Sequence, residues 1–239
     1  MTAALIKFIK SLSQKKFRDS EGLFVVEGEK MVAEAMASDF EVIGVYRREE
    51  IGEKVMERIS NLSSPSPVLA VVRQKPLSSG IPEKGLFLAL DGIHDPGNLG
   101  TILRIADWFG IDGVFASEDT VELYNPKVVQ STMGAIFRVN YAVMPIPELC
   151  KSVRSRGGKV YGTFLDGENI YSKQLDPGKE SVSIIIIGSE SDGISPMVAS
   201  EVSERLFIPP YPEDVPGSES LNAAVATAVT VAEFRRRSH

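Results

Sequence analysis

The sequence predicts an α/β protein in which a small α/β domain precedes a larger domain built on a mostly parallel sheet. After about residue 85, short apolar runs of strand length alternate with segments of helical periodicity, which is typical of a parallel sheet with helices on both faces. Before that point, residues 73–85 contain two prolines, two glycines and two serines without an apolar period, which predicts a linker. We therefore expect two domains, residues 1–78 and residues 84–239.

The first part begins with a predicted helix over Ala4–Leu12, because its apolar side chains fall on one face. These side chains are Leu5, Ile6, Ile9 and Leu12. Further elements follow as the strand Phe24–Val26, the helix Gly28–Met36, the strand Val42–Tyr46, the helix Gly52–Ile59 and the strand Val68–Val72. This unit of about 75 residues is close to the lower limit for a domain that folds alone.

In the second part, strands are predicted from short apolar runs and helices from apolar residues three or four positions apart. The predicted strands are Leu86–Leu90, Gly113–Ala116, Val139–Val143, Val160–Phe164, Ser183–Ile187 and Arg205–Ile208. The predicted helices are Thr101–Phe109, a helix that starts with Lys127–Ser131 and ends near Gly134, Ile146–Arg156 and Ser220–Arg236. We interpret Trp108 and Phe109 as core residues rather than as a base-stacking platform. Ligands of such sheets bind beyond the carboxyl ends of the strands, so the loops there are the candidate site.

Composition excludes several classes of protein. Hydrophobic residues make up 43% of the chain and charged residues 24%, the ordinary balance of a soluble globular protein. The single cysteine, Cys150, excludes an internal disulfide framework and a multi-cysteine metal site, and two histidines disfavour a zinc site. The segment Met1–Lys10 lacks the apolar run of a secretory signal, and Ile184–Ile187 is far shorter than the ~20 residues of a membrane span. We expect a cytoplasmic protein without a metal.

The net charge of −6 argues mildly against a nucleic-acid partner, but the charge is unevenly distributed. The chain closes on Arg235–Arg237, and residues 1–20 hold one acid, Asp19, against five basic side chains. These five are Lys7, Lys10, Lys15, Lys16 and Arg18. Taken alone, both runs are interpreted as solvated tails, and they indicate RNA binding only if another feature points to RNA.

The first candidate loop, Asp91–Thr101, joins a predicted strand to a predicted helix. Its three glycines and one proline allow left-handed turns and close approach of backbone to a ligand. Asn98 can cap the helix, and Arg104 lies about one and a half turns into it. The alternative is an ordinary turn, with Arg104 facing solvent. The loop matches neither the dinucleotide pattern G-x-G-x-x-G nor the phosphate loop G-x-x-x-x-G-K-S/T, which disfavours nicotinamide and ATP chemistry.

Two further loops follow predicted strands. Gly188–Ser195 comes directly after a buried strand and places backbone amides at the sheet edge, although Ser195 and Pro196 also suit the start of a helix. The prolines that follow residue 208 indicate an ordered loop that leads to the last helix. Ser220 and Asn222 open that helix, and a capping role explains either one but not both.

Taken together, the three loops resemble the three motifs of the SpoU-type (TrmH) RNA 2′-O-ribose methyltransferases of the SPOUT superfamily. The matching patterns are Asn-x-Gly-x-x-x-Arg after a strand, Gly-x-Glu-x-x-Gly after a buried strand, and Ile-Pro followed by Ser-Leu-Asn at the head of an alanine-rich helix. Their order and spacing match over residues 86–236. The first part resembles that family's accessory RNA-binding domain, which is similar to a small ribosomal protein, through Leu12-x-x-x-Lys16 and the segment Gly22–Gly28.

The resemblance implies methyl transfer from S-adenosylmethionine to a ribose 2′-hydroxyl of RNA. Ribosomal RNA is favoured over transfer RNA, because the accessory domain is typical of members that act on ribosomal RNA. It also implies a deep trefoil knot, with the loops after residues 188 and 208 threaded around the cofactor, and a homodimer whose sites are completed across the interface. With RNA as the partner, the five basic residues of the N-terminal run become candidate RNA contacts.

By the same match, Asn98 and Arg104 face the ribose and phosphate of the target nucleotide, and Glu190 supports the site. The implied cofactor-binding residues are Gly188, Ile208, Ser220, Leu221 and Asn222. Arg104 is the family's proposed base. Because a guanidinium stays protonated up to about pH 12, orienting the hydroxyl and binding phosphate is the alternative role for Arg104.

Two departures from the family pattern touch the cofactor loops. Ser191 stands where members commonly have glycine, and the segment Pro209–Ser220 is longer than the usual short turn. Because of these departures, the alternative hypothesis is a non-catalytic RNA-binding protein that retains the knotted scaffold. A third hypothesis is a small-molecule enzyme of Rossmann type. The absence of the dinucleotide-binding pattern G-x-G-x-x-G disfavours it.

Overall fold

The computed structural model describes residues 1–75, 80, 83–212 and 220–236. The chain forms two compact units. The first consists of Met1–Pro76 and Glu122–Arg138, and the second of Leu77–Val121 and Val139–His239. The chain leaves the first unit inside the segment 73–85, where the sequence predicts a linker. The two continuous domains expected from the sequence differ from these units by the middle segment Glu122–Arg138.

The first unit is built on a three-stranded antiparallel sheet in the order β1-β3-β2. Its strands are β1 Leu23–Glu27, β2 Val42–Arg47 and β3 Val68–Arg73. Its first five helices are α1 Ala3–Ser11, α2 Lys15–Glu21, α3 Glu29–Ala37, α4 Arg48–Ile51 and α5 Glu53–Ile59. All three predicted strands and the helices corresponding to α1, α3 and α5 are confirmed, whereas α2 and α4 are not among the predictions.

Two hydrophobic layers cover this sheet. On one side Ile6, Ile9 and Leu12 pack with Leu69 and Val71, which confirms the predicted apolar face of α1. On the other side the ring of Phe24 lies 4.6 Å from that of Tyr124, and the ring of Phe40 lies 5.2 Å from that of Phe137. Since alternate strand residues point to opposite faces, both layers are needed to bury β1 completely.

The second unit is built on a six-stranded parallel sheet in the order β6-β5-β4-β8-β7-β9, which confirms the predicted fold class. The strands are β4 Gly85–Asp91, β5 Gly113–Ala116, β6 Tyr141–Val143, β7 Lys159–Asn169, β8 Val182–Gly188 and β9 Glu204–Phe207. The remaining helices are α6 Pro96–Trp108, α7 Pro126–Ser131, α8 Ile146–Ser155, α9 Pro196–Ala199 and α10 Ala223–Arg236. Helix α7 belongs to the first unit, as does a short 3₁₀ helix, Ala135–Phe137.

Helices cover both faces of the parallel sheet. Phe87 and Ala89 of β4 pack with residues of α8 on one face. On the other face Tyr161 of β7 meets Phe234 of α10 edge to face, at 4.9 Å between ring centroids. Burial on both faces explains why the central strands are almost wholly apolar. Within the described residues, no helix is long and apolar enough to cross a membrane.

The interpretation of Trp108 as a core residue is wrong. Its side chain is 85% exposed, and Phe109 is only partly buried. The buried face of α6 is formed by Leu99, Ile102, Leu103 and Ala106. Trp108 instead lies one turn beyond the exposed Arg104, on the outer face of the helix.

Candidate active site

The candidate site lies at the carboxyl edge of the parallel sheet, where β4 and β8 end side by side. Asp91, the last residue of β4, is paired in register with Gly188, the last residue of β8. Parallel strands place the loops that follow them at the same edge, so the first and second candidate loops are neighbours. The sheet order thereby joins two segments that lie about 90 residues apart in the chain.

Three side chains from the three candidate loops form one hydrogen-bonded cluster. The amide nitrogen Nδ2 of Asn98 donates to Glu190 Oε1 at 2.5 Å. Nδ2 of Asn222 donates to the same oxygen at 2.6 Å and to Asn98 Oδ1 at 2.9 Å. The backbone amide of Ala223 donates to Glu190 Oε1 at 3.4 Å. Glu190 is therefore the shared acceptor that holds the other two side chains in place.

The helix caps decide which polar side chains are available to this cluster. Asn98 is not the cap of α6, because Asp95 occupies the cap position and accepts the backbone N–H of Asn98 at 2.8 Å. The last helix begins at Ala223 rather than Ser220, and Asn222 Oδ1 accepts the N–H groups of the first turn at 3.0 and 3.2 Å. Asn222 therefore both caps α10 and joins the cluster, and the exposed Ser220 is the residue left over.

Arg104 does not join the cluster within one chain. It follows Asn98 by six residues on α6, which turns it about 120° around the helix and ~9 Å along it. Its side chain is exposed and forms no hydrogen bond or ion pair with any residue in the described part of the chain. The structure thus places Arg104 on the outer surface of α6, together with Trp108 one turn further on.

The residues expected to line a cofactor pocket gather at the same edge. Gly188 ends β8, and Ile208 follows β9 directly. Leu221, just before α10, is 46% exposed although it is apolar. Gly188 is also required by the loop itself, because a Cβ there would lie 2.2 Å from the carbonyl carbon of Gly193. Ser189 and Gly193 exchange two backbone hydrogen bonds, of 3.1 and 3.0 Å, which close this turn.

The end of β7 is a part of this edge that was not among the predicted site segments. This strand lies between β8 and β9, so its carboxyl end belongs to the same edge. The pairing with β9 is interrupted between Thr163 and Glu168, and in that interval Leu165 is 72% exposed. The signal for this segment in the sequence is its position at the carboxyl end of a predicted strand, where ligands of parallel sheets bind.

The N-terminal basic residues fall into three environments. Lys7 and Lys16 are exposed and have no hydrogen-bond or ion-pair partner among the described residues. Lys10 donates to the carbonyl oxygen of Ser60 at 2.7 Å, and Lys15 pairs with Asp19 at 2.6 Å. All four lysines are exposed to solvent.

Arg18 corrects the expected set of RNA contacts. Its side chain is 2% exposed and makes a two-pronged ion pair with Glu122, with nitrogen–oxygen distances of 2.9 and 2.6 Å. The same guanidinium donates to the carbonyl oxygens of Leu12 and Ser13. Although Arg18 lies in a basic run, it is therefore a structural residue of the first unit, because its charge is paired with that of Glu122 inside the unit.

Other reactive groups lie outside this cluster. Burial raises the pKa of the Cys150 thiol to about 12. Over the described ranges, no three His, Cys, Asp or Glu side chains come together in a way that suits a metal ion.

Comparison with known families agrees with the motif geometry. The chain matches the SpoU rRNA Methylase family over residues 85–232. A second match, to the MRM3-like substrate binding domain, covers residues 4–52. The 23S rRNA (guanosine(2553)-2′-O)-methyltransferase RlmP of Bacillus subtilis is 29% identical over an alignment of 245 positions that spans 96% of this chain and 95% of the relative.

Solved structures share the fold over the whole chain. A structure assigned to the TrmH family of RNA methyltransferases, from Porphyromonas gingivalis, has a TM-score of 0.89 and 38% identity, and the match covers 99% of both chains. An AdoMet-bound rRNA methyltransferase from Sinorhizobium meliloti has a TM-score of 0.86 and 28% identity, covering 99% of this chain and 96% of that one.

Proposed function

The chain belongs to the SpoU rRNA methylase family, and from this membership we propose that it transfers a methyl group from S-adenosylmethionine to a ribose 2′-hydroxyl of RNA, with ribosomal RNA as the favoured substrate. The observation that carries the proposal is the cluster of Asn98, Glu190 and Asn222, which unites the three motif loops at one edge of the sheet. A full-length relative named as a 23S rRNA 2′-O-methyltransferase supports both the reaction and the class of RNA.

The residues at the sheet edge fit S-adenosylmethionine. The exposed apolar side chains of Leu165 and Leu221 offer cover for an adenine ring, and the backbone at Gly188 and Ile208 offers hydrogen bonds. The carboxylate of Glu190 at the same edge suits a cationic cofactor. When bound, the cofactor supplies a methyl group on a sulfonium. The AdoMet-bound S. meliloti neighbour supports this assignment.

The chain's own residues have mainly to align the two reactants, since a sulfonium is already a good leaving group. Asn98, held by Glu190, orients the ribose. Arg104 offers an exposed cation that binds the adjacent phosphate and orients the hydroxyl. We favour this role for Arg104 over that of a base, because a guanidinium offers five N–H donors and no acceptor.

Replacing Arg104 tests this assignment. Arg104→Ala should lower methyl transfer roughly 100-fold or more, because the phosphate and hydroxyl lose their alignment. Binding of S-adenosylmethionine, measured by calorimetry, should stay within about twofold of the native value, since Arg104 lies outside the cofactor pocket. Arg156→Ala, at the end of α8, is the control and should leave transfer unchanged. Normal turnover by Arg104→Ala would contradict the assignment.

A non-catalytic RNA-binding scaffold is the competing function. The intact cluster argues against it, because a protein that only binds RNA has no need of the buried Asn98 bonded to Glu190. Calorimetry with S-adenosylmethionine decides between the two. No heat at high micromolar cofactor would favour the scaffold, whereas saturable binding supports the enzyme.

We propose that RNA also contacts the N-terminal lysines Lys7, Lys10, Lys15 and Lys16. All four are exposed, and Lys7 and Lys16 have no competing partner among the described residues. Neutralising all four should weaken RNA binding and reduce the slope of log affinity against log salt by roughly 3, at ~0.7 per phosphate contact for single strands. Filter binding at several salt concentrations measures both quantities. An unchanged affinity would show that these lysines only solvate the surface.

We propose a homodimer formed by the outer face of α6 and α10. Residues Ala223–Ala232 are all alanine, valine or threonine, and a helix that is apolar on every side is normally covered. Val225 is nevertheless about half exposed, and Trp108 is 85% exposed on the helix packed beside it. Arg104 shares the face of Trp108, so a second copy would bring Arg104 to a site that lacks it in one chain.

Trp108→Glu tests the dimer. It should give monomers in sedimentation and should lower methyl transfer together with the dimer population, because a buried charge opposes association. A native chain that sediments as a monomer, or a Trp108→Glu chain that remains dimeric, would overturn this proposal.

We also propose that the loops after residues 188 and 208 are threaded as a trefoil knot and that the protein acts in the cytoplasm. The insertion of β8 between β4 and β7, although β8 follows β7 in the chain, supports the first statement. The bacterial relative from Bacillus subtilis supports the second.

A further inference from the structure

Asp91 contacts both ends of the loop that carries Glu190. It is the last residue of β4, and its side chain is 8% exposed. Its backbone is paired in register with Gly188, where the loop begins. Its carboxylate oxygen Oδ2 accepts the backbone N–H of Ser195, where the loop ends, at 2.6 Å. One residue therefore spans the loop from its first residue to its last.

The far end of this loop depends on that hydrogen bond. Gly193, two residues earlier, has a φ of +68°, so the backbone before Ser195 has the freedom of glycine. Ser195 precedes α9, and across the described residues its own side chain makes no capping bond to that helix. The buried side chain of Asp91 thus fixes Ser195 through a short hydrogen bond.

The loop transmits this restraint to Glu190. It is closed internally by the two backbone bonds between Ser189 and Gly193 and by a bond from the Asp192 amide to Ser189 Oγ at 3.1 Å. A loop that is closed in this way moves as one piece. Fixing its two ends therefore fixes the position of the Glu190 carboxylate, the acceptor shared by Asn98 and Asn222.

The segment that leads from β4 to Asn98 in α6 is held by separate hydrogen bonds. The amide of Gly92 donates to Ser117 Oγ at 3.0 Å, and the amide of Ile93 donates to Thr120 Oγ1 at 3.3 Å. Both acceptors lie in the loop after β5. Asp91 links this segment to the Glu190 loop. It is joined to Gly92 by the peptide bond, and it accepts the hydrogen bond from Ser195 of the Glu190 loop.

We propose that Asp91 is a positioning residue for methyl transfer: by holding Ser195 it sets the place of Glu190, and through Glu190 the places of Asn98 and Asn222. The proposal rests on the proposed function for its kinetic readout. An uncharged acceptor oxygen in the same place would hold Ser195 as well.

The test compares Asp91→Ala with Asp91→Asn in the full chain. Asp91→Ala should lower kcat roughly tenfold or more and leave KM for RNA within about twofold, because misplacing reacting groups affects turnover rather than docking. Asp91→Asn retains an acceptor oxygen and should restore kcat to within roughly threefold of the native value. Native kcat in Asp91→Ala, or equal losses in both variants, would overturn the proposal.

Asp112→Ala is the matched control. Asp112 Oδ2 accepts the amide of Leu86 at 2.9 Å, a bond of the same kind at the opposite end of the same strand. Its loss should lower the melting temperature but leave kcat within about twofold, since it is remote from the cluster. If kcat for Asp112→Ala is as low as that for Asp91→Ala, the loss of activity reflects a general destabilisation of β4. This result would contradict the positioning role of Asp91.

A double-mutant cycle identifies the residue through which Asp91 acts. In a Glu190→Ala background, adding Asp91→Ala should lower the residual rate by less than about twofold, because the group that it positions is already absent. A full tenfold loss in that background would contradict the link through Glu190. If Asp91→Ala does not fold, Ser195→Pro removes the donor at a φ of −61° that proline accepts, and the same kcat loss is then required of it.

One readout is independent of catalysis. The side-chain amide NMR signals of Asn98 and Asn222 should shift in Asp91→Ala and stay in place in Asp112→Ala. If the native protein does not transfer methyl groups, the proposed function is wrong. The NMR comparison then still tests whether Asp91 positions Asn98 and Asn222. Unmoved amide signals in Asp91→Ala would overturn the positioning role whatever the activity.

Discussion

At the scale of single residues, the role of a side chain is set by partners far away in the chain. Arg18 lies in a run of basic residues and was expected to contact RNA, yet its partner is Glu122, 104 residues further on. Asn98 and Asn222, 124 residues apart, share a hydrogen bond that no local pattern contains. Residue type therefore identified candidates, and spatial neighbours decided which of them remain available to a ligand.

Arg18→Ala should lower the free energy of unfolding by about 3–5 kcal/mol, because it leaves Glu122 without its partner in a largely buried site. Urea denaturation followed by circular dichroism measures the change. Lys16→Ala, on the same helix but exposed, should stay within about 0.5 kcal/mol of the native value. Equal stabilities for the two variants would show that the buried pair contributes nothing.

Cys150 should be inert in the native protein. Its side chain is fully buried in the core, and burial raises the pKa of the thiol to about 12. Only the thiolate reacts, so raising the pH from about 7 to 9 still leaves the thiol protonated. A chromogenic disulfide reagent at pH 8 should detect no thiol in the folded chain and one after denaturation. Rapid reaction of the folded chain would contradict this picture.

At the scale of elements, the sequence identified most strands and helices but not all of their ends. Asn98 was the predicted cap of this helix, but Asp95 is of an equally good capping type. The structure begins α6 at Pro96 with Asp95 as its cap, which releases the Asn98 side chain for the cluster. The cap of this helix lies three residues before the predicted cap, and this difference is a feature of the site as well as of the fold.

Asp95→Ala should destabilise the protein by about 1 kcal/mol, because the first turn of α6 loses its side-chain acceptor. Asp95→Asn keeps a capping oxygen and should lie within a few tenths of a kcal/mol of the native value. Thermal or denaturant unfolding of the two variants provides the comparison. Identical curves for them would argue against the capping role.

At the scale of the whole molecule, the first unit is not continuous in sequence. The segment Glu122–Arg138 contributes Glu122 to the ion pair with Arg18, Tyr124 to the packing of Phe24, and Phe137 to that of Phe40. These contacts bury one whole layer of the unit. The N-terminal residues alone would expose that layer.

A fragment of residues 1–78 should therefore fail to unfold cooperatively. A control chain that joins residues 1–75 to 122–138 through a flexible linker should regain a cooperative transition, since it restores the missing aromatic layer. Thermal circular dichroism of the two chains is the measurement. A sharp transition in the short fragment would mean that the middle segment is dispensable.

The sequence by itself determined the parallel sheet, most of its strands and helices and the three motif loops, because these follow from local periodicity and from the order of short patterns. Only the tertiary structure decided that Asn222 bonds to Asn98, that Arg18 is buried against Glu122, and that Asp91 joins two loops. The physical reason is the same in each case. These properties are set by hydrogen bonds and packing between segments about a hundred residues apart, which sequence spacing does not specify.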